Sequence, residues 1–331
     1  MMKSAIITAA SESYTRQLLA LLGSLEANWP SHPPVVVYDL GLPVSVVNSL
    51  EGRNVEVRKV PEFCPHWRQH FTWKIWCWND IDAETFLWID AGAVVLSPLE
   101  EVFPHIENTG YLVVPNYRLL VEEASEEACV GCGVDPSFRE GKSTLAGGFM
   151  GFNKSNELMS RILKEALELA MVEKNIKATD PKHRHDQALI SLLIYKNIQS
   201  PLMLDGNIYL GGPSPMLVPG QKVWACRTGM NEQDIENFSK YFLEPTNQPP
   251  PFPESPQKYV GWLLGDVEYQ ISRIYGLDKA YFEKSFLLRG LSKRGKKFMN
   301  LVLNLKQFFQ SKQQSNHRPQ ESKKIYDGIR D

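Results

Sequence analysis

The chain contains no stretch approaching the run of about 20 apolar residues that a membrane-spanning helix requires. Its opening, MMKSAIITAAS, is too short and too soon polar to read as a signal peptide. Cysteine is scarce. The five present (Cys64, Cys77, Cys129, Cys132 and Cys226) are an odd number in a chain of 331 residues, which argues against a disulfide framework and for a reducing compartment, the cytoplasm. Cys129-Val-Gly-Cys132 is a lone CxxC. Without a second pair or a suitable His it reads as plain thiols rather than a zinc site. Glycine is missing from the first strand-to-helix turn, Thr8–Ser13, so the chain has neither the GxGxxG of a dinucleotide fold nor the GxxxxGK[ST] of a P-loop. That counts against a dehydrogenase, an ordinary nucleotide kinase and most methyltransferases. Net charge is only −2, so no overall field points to nucleic acid. Internal repeats are absent as well.

What is present suits one large soluble domain and an extension. The charge is unevenly spread. From Lys284 to the end there are 12 Lys/Arg against 3 Asp/Glu, about +9, which leaves about −11 for the remainder. Gln248–Pro256 is rich in proline and reads as a stiff, extended linker. The expected layout is a main domain over 1–247, the linker over 248–257, a helical basic amphipathic extension over 258–311 and a disordered tail over 312–331. Within the extension, Phe298, Leu301, Val302, Leu305, Phe308 and Phe309 form an apolar stripe preceded by Lys293-Arg-Gly-Lys-Lys297. The stretch 293–309 reads as a membrane-surface anchor at the inner face of the plasma membrane, or as a helix docked on a partner or on the main domain.

The main domain opens with strand, helix, strand, helix, strand: Ser4–Ala10, Tyr14–Asn28, Val35–Asp39, Leu42–Leu50 and Val55–Val60. That order predicts parallel βαβ units with helices on both faces of the sheet. Ser11 and Ser13 offer capping chemistry for the first helix. Phe86–Glu100, FLWIDAGAVVLSPLE, is the organising stretch. Phe86–Ile89 is wholly apolar and suits a central strand buried on both faces. Asp90 follows it, with only Ala91 and Gly92 beyond. A carboxylate at that edge of an open α/β sheet either holds a divalent cation or a ribose hydroxyl, or caps the turn.

Other candidates lie around this strand. Phe63–Asp80 is dense in aromatics, with a helix expected over about 68–79. Lys74 lies in it, either snorkelling or aimed at an anion. His66 and His70, four apart, have a metal-ligand spacing on a helix but no obvious third ligand. Asn116–Lys142 is acidic and poorly patterned and reads as a mobile loop or short helices. Gly147 and Gly148 fall inside a strand-like run, Leu145–Asn153, which signals close approach of something or tight strand packing. Asn153 or Ser155 caps a helix over Glu157–Lys174. Asp186-Gln187 opens the helix Ala188–Lys196, either as simple caps or presenting a carboxylate and an amide to a pocket. Short strands are expected at Asn207–Leu210 and Val223–Cys226, and a helix from Asn231 to Tyr241.

Taken in order over roughly residues 3–226, these motifs resemble nucleotide-sugar glycosyltransferases of the GT-A fold, especially glycosyltransferase family 8 and related bacterial families. Ile6-Ile-Thr-Ala-Ala-Ser-Glu-Ser-Tyr14 is similar to the strand and turn that hold base and ribose, at Thr8, Ala9, Ala10 and Tyr14. Trp88-Ile-Asp-Ala-Gly-Ala resembles the segment carrying Asp-x-Asp, and places Asp90, Ala91 and Gly92 at the donor. Ala146-Gly-Gly resembles the Asn-Ala-Gly strand of the sugar pocket, at Gly147 and Gly148. Asp186-Gln187 matches the Asp-Gln pair beside the reacting carbon, and Lys74 a basic residue near the pyrophosphate and sugar.

The resemblance implies a Rossmann-like, three-layer α/β sandwich with a mostly parallel sheet. It also implies an enzyme moving a sugar with retention from a nucleoside-diphosphate sugar, UDP-linked by the same resemblance, to a glycan or lipid-linked acceptor, as in polysaccharide biosynthesis. Asp186, Gln187 and Lys74 would be its catalytic residues. Mn²⁺ or Mg²⁺ on Asp90 belongs to the pattern, but Gly92 replaces the second Asp. The late His-x-x-Gly-x-x-Lys-Pro-Trp segment has only loose counterparts in Lys222, Trp224 and Arg227. Neutralisation by Lys or Arg alone, and a non-catalytic sugar-nucleotide-binding partner protein, remain the alternatives.

Overall fold

The computed structural model describes residues 2–177, 183, 185–211, 220–225, 232–246 and 248, with only the backbone described at 117, 232 and 234. The chain splits into two compact units, Met1–Ser255 and Pro256–Asp331, and every described residue belongs to the first. The linker from 249 onward, the extension 258–311 with its basic stretch 293–309, the tail 312–331, Cys226, Arg227 and Asn231 lie outside the described residues.

In chain order, β1 (Ser4–Ala10) leads through a 3-10 turn to α1 (Thr15–Asn28), β2 (Val35–Asp39), α2 (Val44–Leu50) and β3 (Val55–Lys59). Next come α3 (Thr72–Asp80), β4 (Thr85–Ile89), β5 (Val94–Val95), α4 (Val102–Thr109), β6 (Tyr111–Leu112) and β7 (Pro115–Leu119). The second half holds α5 (Leu120–Glu123), α6 (Glu126–Gly131), β8 (Ser143–Leu145), β9 (Phe149–Asn153), α7 (Glu157–Ala170), α8 (Glu173–Ile176) and α9 (His185–Asn197). The described part closes with β10 (Tyr209–Gly211), β11 (Val223–Ala225) and α10 (Glu232–Leu243).

The main sheet has six strands in the order β3-β2-β1-β4-β9-β6. The first four are mutually parallel, and β9 pairs antiparallel with β4 and β6. A smaller sheet joins β10, β11 and β5, and β7 pairs with β8. Along the central strands both sets of alternating side chains are apolar, as a sheet covered on both faces requires. Ala5, Ile7, Ala9, Val36, Tyr38, Phe86, Trp88, Met150 and Phe152 share one core with α3, α7 and α9. Ile6, Val35, Val37, Leu87, Ile89 and Phe149 share the other with α1 and α4. The architecture is therefore a three-layer α/β sandwich with a mostly parallel central sheet. No helix among the described residues is long and apolar enough to cross a membrane.

Several local expectations are corrected. His70 and Phe71 take left-handed backbone (φ 56° and 57°), which a helix cannot continue, so α3 starts only at Thr72. His66 and His70 consequently do not share a helical face. The Leu145–Asn153 run is not one strand: β8 ends at Leu145, and the two glycines sit in the turn before β9. The 157–174 helix is broken into α7 and α8. The cap of α7 is Asn156, which accepts from the Met159 amide at 3.1 Å, while Asn153 is engaged by Ser155. Ser11 and Ser13 bond to each other at 3.0 Å rather than capping α1. The acidic stretch 116–142 does hold short helices, α5 and α6, one of the two forms expected, and also most of β7. Asp39 does cap its own turn, accepting from the Gly41 and Leu42 amides at 2.6 Å each.

Candidate functional site

Three elements converge at the C-terminal end of β4. The strand delivers Asp90, the first turn of α3 delivers Lys74, and the first turn of α9 delivers Asp186 and Gln187. Lys74 Nζ donates to Asp90 Oδ1 at 2.9 Å and lies 3.1 Å from Asp186 Oδ2. Lys74 is only 3% exposed and Asp186 6%, whereas the Asp90 side chain is 42% exposed. Trp88 Nε1 also donates to Asp90 Oδ1, at 2.7 Å. The ammonium lies 5.0 Å from the Trp88 ring centroid and 6.0 Å from that of Trp78, so it is held by π-faces as well as carboxylates.

The electrostatics follow from one buried cation between two carboxylates. Burial works to lower the Lys74 pKa, but the pull of Asp186 and Asp90 overcomes it and leaves the ammonium above its ordinary value. Burial raises Asp186; Lys74 opposes this, and the negative charge of Asp90 adds to it. The two directions agree, because a single cation cannot fully compensate two anions. Lys74 stays charged, and Asp186 is the carboxylate that pays in basicity for the shortage of positive charge.

The turn Ala146–Gly148 closes one side. The Gly148 carbonyl accepts from the Asp90 amide at 2.9 Å. A Cβ on Gly148 would lie 2.0 Å from the Tyr209 hydroxyl and 2.9 Å from Asp90 Oδ2, so this position admits only glycine without a shift of its neighbours. Gly147 faces Gln187 and Asp186. The Gly147 amide donates to Gln187 Oε1 at 3.3 Å, and Gln187 Nε2 donates to Glu123 Oε2 at 2.9 Å. Thr144 Oγ1 donates to the same Glu123 oxygen at 3.1 Å.

Beside this group lies an aromatic and histidine rim. His70 and His185 ring centroids are 5.2 Å apart, Phe71 and His185 5.9 Å, and His183 and His185 5.6 Å. His66 Nε2 donates to the Ala170 carbonyl at 2.8 Å, and His185 Nδ1 to the Ile176 carbonyl at 2.9 Å. His185 also has positive φ (40°), like His70 and Phe71. These are the three non-glycine residues with such backbone among the described ones. Each costs on the order of 1–3 kcal/mol, and strain of this kind gathers where packing fixes a functional geometry.

The first strand contributes less side-chain chemistry than the motif suggests. The β1–β4 register, Ile7 opposite Trp88, brings Ala9 level with Asp90. Thr8 is fully buried, with no hydrogen-bond partner for its hydroxyl. Ala9 and Ala10 are buried too, while Tyr14 is 41% exposed. Ala91 is buried and Gly92 partly open. Lys222 does not join the site: it pairs with Glu101 at 2.5 Å and donates to the Pro98 carbonyl. Trp224 is fully buried.

A divalent ion at Asp90 fits these residues poorly. Oδ1 already faces an ammonium and an indole N–H, and Gly92 supplies no second carboxylate. Among the described residues no cluster of three or more His, Cys, Asp or Glu is arranged to hold a metal. Lys74 occupies the place of a cation between Asp90 and Asp186, so its ammonium is committed to carboxylates and not free as a clamp for a diphosphate.

No family model matches the chain, and no curated protein matches it in sequence. Among solved structures it is similar to the galactosyltransferase LgtC in complex with donor and acceptor sugar analogues. That match has 15% identity, covers 78% of this chain and 99% of that one, and has a TM-score of 0.47. The bifunctional glycosyltransferase WbbM matches at 13% identity over 74% of this chain and 50% of its own, with a TM-score of 0.49. GlyE of Streptococcus pneumoniae TIGR4 matches at 15% identity over 62% and 46%, with a TM-score of 0.40.

Glu123, Tyr209 and His185 were not singled out from the sequence. Glu123 is one acid in the run Glu122–Glu127 and carries no mark of its own. Tyr209 sits in a short apolar segment with no motif.

Proposed function

We propose that the chain is a nucleotide-sugar glycosyltransferase of the GT-A type, moving a sugar from a UDP-sugar to a glycan or lipid-linked acceptor with retention of configuration. The observation that carries this reading is the Lys74–Asp90–Asp186 cluster with Gln187 beside it, set at the C-terminal end of the parallel strands, where open α/β sheets bind ligands.

Sugar transfer builds positive character on the anomeric carbon and negative charge on the leaving diphosphate. An excess of carboxylate over ammonium suits the first of these. Asp90, half open, is the group able to accept from a ribose or sugar hydroxyl. Asp186 is held by Lys74 in a fixed place and accepts from the sugar. Gln187 has no charge and acts by its dipole. Lys74 holds both carboxylates at fixed distances and acts on the donor through them. The donor's ribose and base lie along Ala9, Ala10 and the open ring of Tyr14, with Ala91 and Gly92 leaving room for the diphosphate and Gly147 and Gly148 lining the sugar. Mn²⁺ or Mg²⁺ carries no step in this scheme.

The test is a panel of UDP- and GDP-sugars with the full chain, with and without Mn²⁺, read by thermal shift and by donor hydrolysis. One UDP-sugar is expected to raise the melting temperature and to be turned over, and Asp186→Asn to abolish turnover. Silence of the wild-type chain toward every donor overturns the reading.

A further inference from the structure

The Gln187 carboxamide has two possible orientations related by a flip, and the structure contains a device that selects one. On one side it meets the Gly147 N–H, which can only donate, at 3.3 Å from Oε1. On the other it meets the Glu123 carboxylate, which when ionised can only accept, at 2.9 Å from Nε2. The flipped amide would set N–H against N–H and oxygen against carboxylate. The orientation is thus dictated by the chemistry of its two neighbours.

Glu123 is itself fixed. It is 3% exposed at the end of α5, accepts from Thr144 Oγ1 at 3.1 Å, and has Arg118 Nε 3.4 Å from Oε1. The Arg118 side chain is 58% exposed, so this counter-charge is partly screened by water. A buried carboxylate is costly to keep, and on its inner side this one meets an amide with no charge. An anion bonded to the NH₂ of a carboxamide draws its dipole into line and makes the oxygen more negative. Two bonds leave Gln187, which is half-buried, with one N–H and one lone pair for a ligand.

We propose that Glu123 is a positioning residue that locks and polarises the Gln187 amide so that Oε1 faces developing positive charge. The inference rests on the transferase reading above. It assigns Glu123 no contact with substrate.

The experiment is a double-mutant cycle in the full chain, using the UDP-sugar that the wild type turns over. Glu123→Gln keeps the shape but lets the amide pair flip. It is expected to lower kcat roughly tenfold to a hundredfold, by analogy with the loss on removing outer-shell partners that orient metal ligands, with KM little changed. In a Gln187→Ala background the same substitution is expected to change kcat less than twofold. Glu123→Asp, which keeps the charge, is expected to recover part of the loss. A purely structural role predicts instead equal losses in both backgrounds, and that result overturns the proposal, as does full activity of Glu123→Gln. Should the variants not fold, the wild-type protein still decides. The side-chain amide of Gln187, assigned by selective labelling, is expected to exchange the proton that meets Glu123 with solvent much more slowly than exposed glutamines do; exchange at their rate refutes the lock. Absence of turnover by the wild-type chain is a different outcome, and removes the transferase reading together with this proposal.

Discussion

Replacing Lys74 by Met separates the two sources of stability at the site. Methionine fills much of the lysine stem's volume, so packing is largely kept and charge is the main change. The loss is unequal for the two partners. Asp90 is 42% exposed on its side chain and is resolvated by water, so its share is small. Asp186 is 8% exposed on its side chain and would be left as a buried, uncompensated anion. Breaking a buried pair in this way costs about 3–5 kcal/mol. At about 2–4 °C per kcal/mol for a domain of this size, the melting temperature should fall by roughly 6–20 °C at pH 7.

The pH dependence tests the cause. Burial already raises the pKa of Asp186 with Lys74 present, and removing the ammonium raises it further. The folded state then holds a proton that the unfolded state has released, so stability falls as pH rises through the window between the unfolded and folded values. The variant should therefore recover toward the wild type on acidification. Lys74 gives a slope of the same sign in a far more alkaline window: its raised value means that its stabilisation is complete below its unfolded pKa and is lost only in strong alkali. Melts of wild type, Lys74→Met, Asp186→Asn and the double variant at pH 5 and pH 7.5 decide. Asp186→Asn should restore most of the stability lost in Lys74→Met at neutral pH. A deficit below about 1 kcal/mol, no dependence on pH, or additive losses in the double variant would refute the reasoning, since contacting residues are expected to couple.

Gly148→Ala should cost about 1–3 kcal/mol, because its methyl meets the Tyr209 hydroxyl and Asp90. Donor-induced thermal shift should be lost in that variant, and Tyr209→Phe in the same chain should recover part of the stability loss. His70 should set part of the acid limb of stability. Burial lowers its pKa, against the pull of Glu173 and with the help of its neighbour His185. The unfolded chain then binds the proton more readily, so stability is full above the unfolded value near 6.5 and falls as pH drops through that value toward the folded one. His70→Gln should flatten the melting temperature between pH 7 and pH 5; an unchanged profile would exclude this assignment.

The sheet was legible because its pattern is physical and local. Phe86–Ile89 has no charge and a turn behind it, and it became β4, fully buried, with Asp90 at its open end. Asp186 and Gln187 were legible as the opening of a helix, and Lys74 by its isolation among aromatics. What could not be read was which partner each would take. Lys74 was read as either snorkelling or aimed at an anion, and the anions it meets are carboxylates of the same chain. The glycine pair was read as close approach or tight strand packing, and its place in a turn, with Gly148 against Tyr209 and Asp90, depends on β8 and β9 pairing with different sheets. Left-handed backbone at His70, Phe71 and His185 carries no usable sequence mark, since His adopts it more often than most residues but still rarely, and Phe does not favour it. Glu123 meets Gln187 only when α5 is folded against α9.

The reversed direction of β9 deserves its consequence. Were all the strands aligned alike, the segment entering β9 would emerge at the far rim of the sheet, remote from Asp90. Because Phe149 pairs with Ile89 head to tail, the approach to β9 and the exit from β4 meet at the same rim. One inverted strand thus sets the Ala146–Gly148 corner against Asp90 at a common rim, and the β4–β9 ladder beneath keeps the two in register.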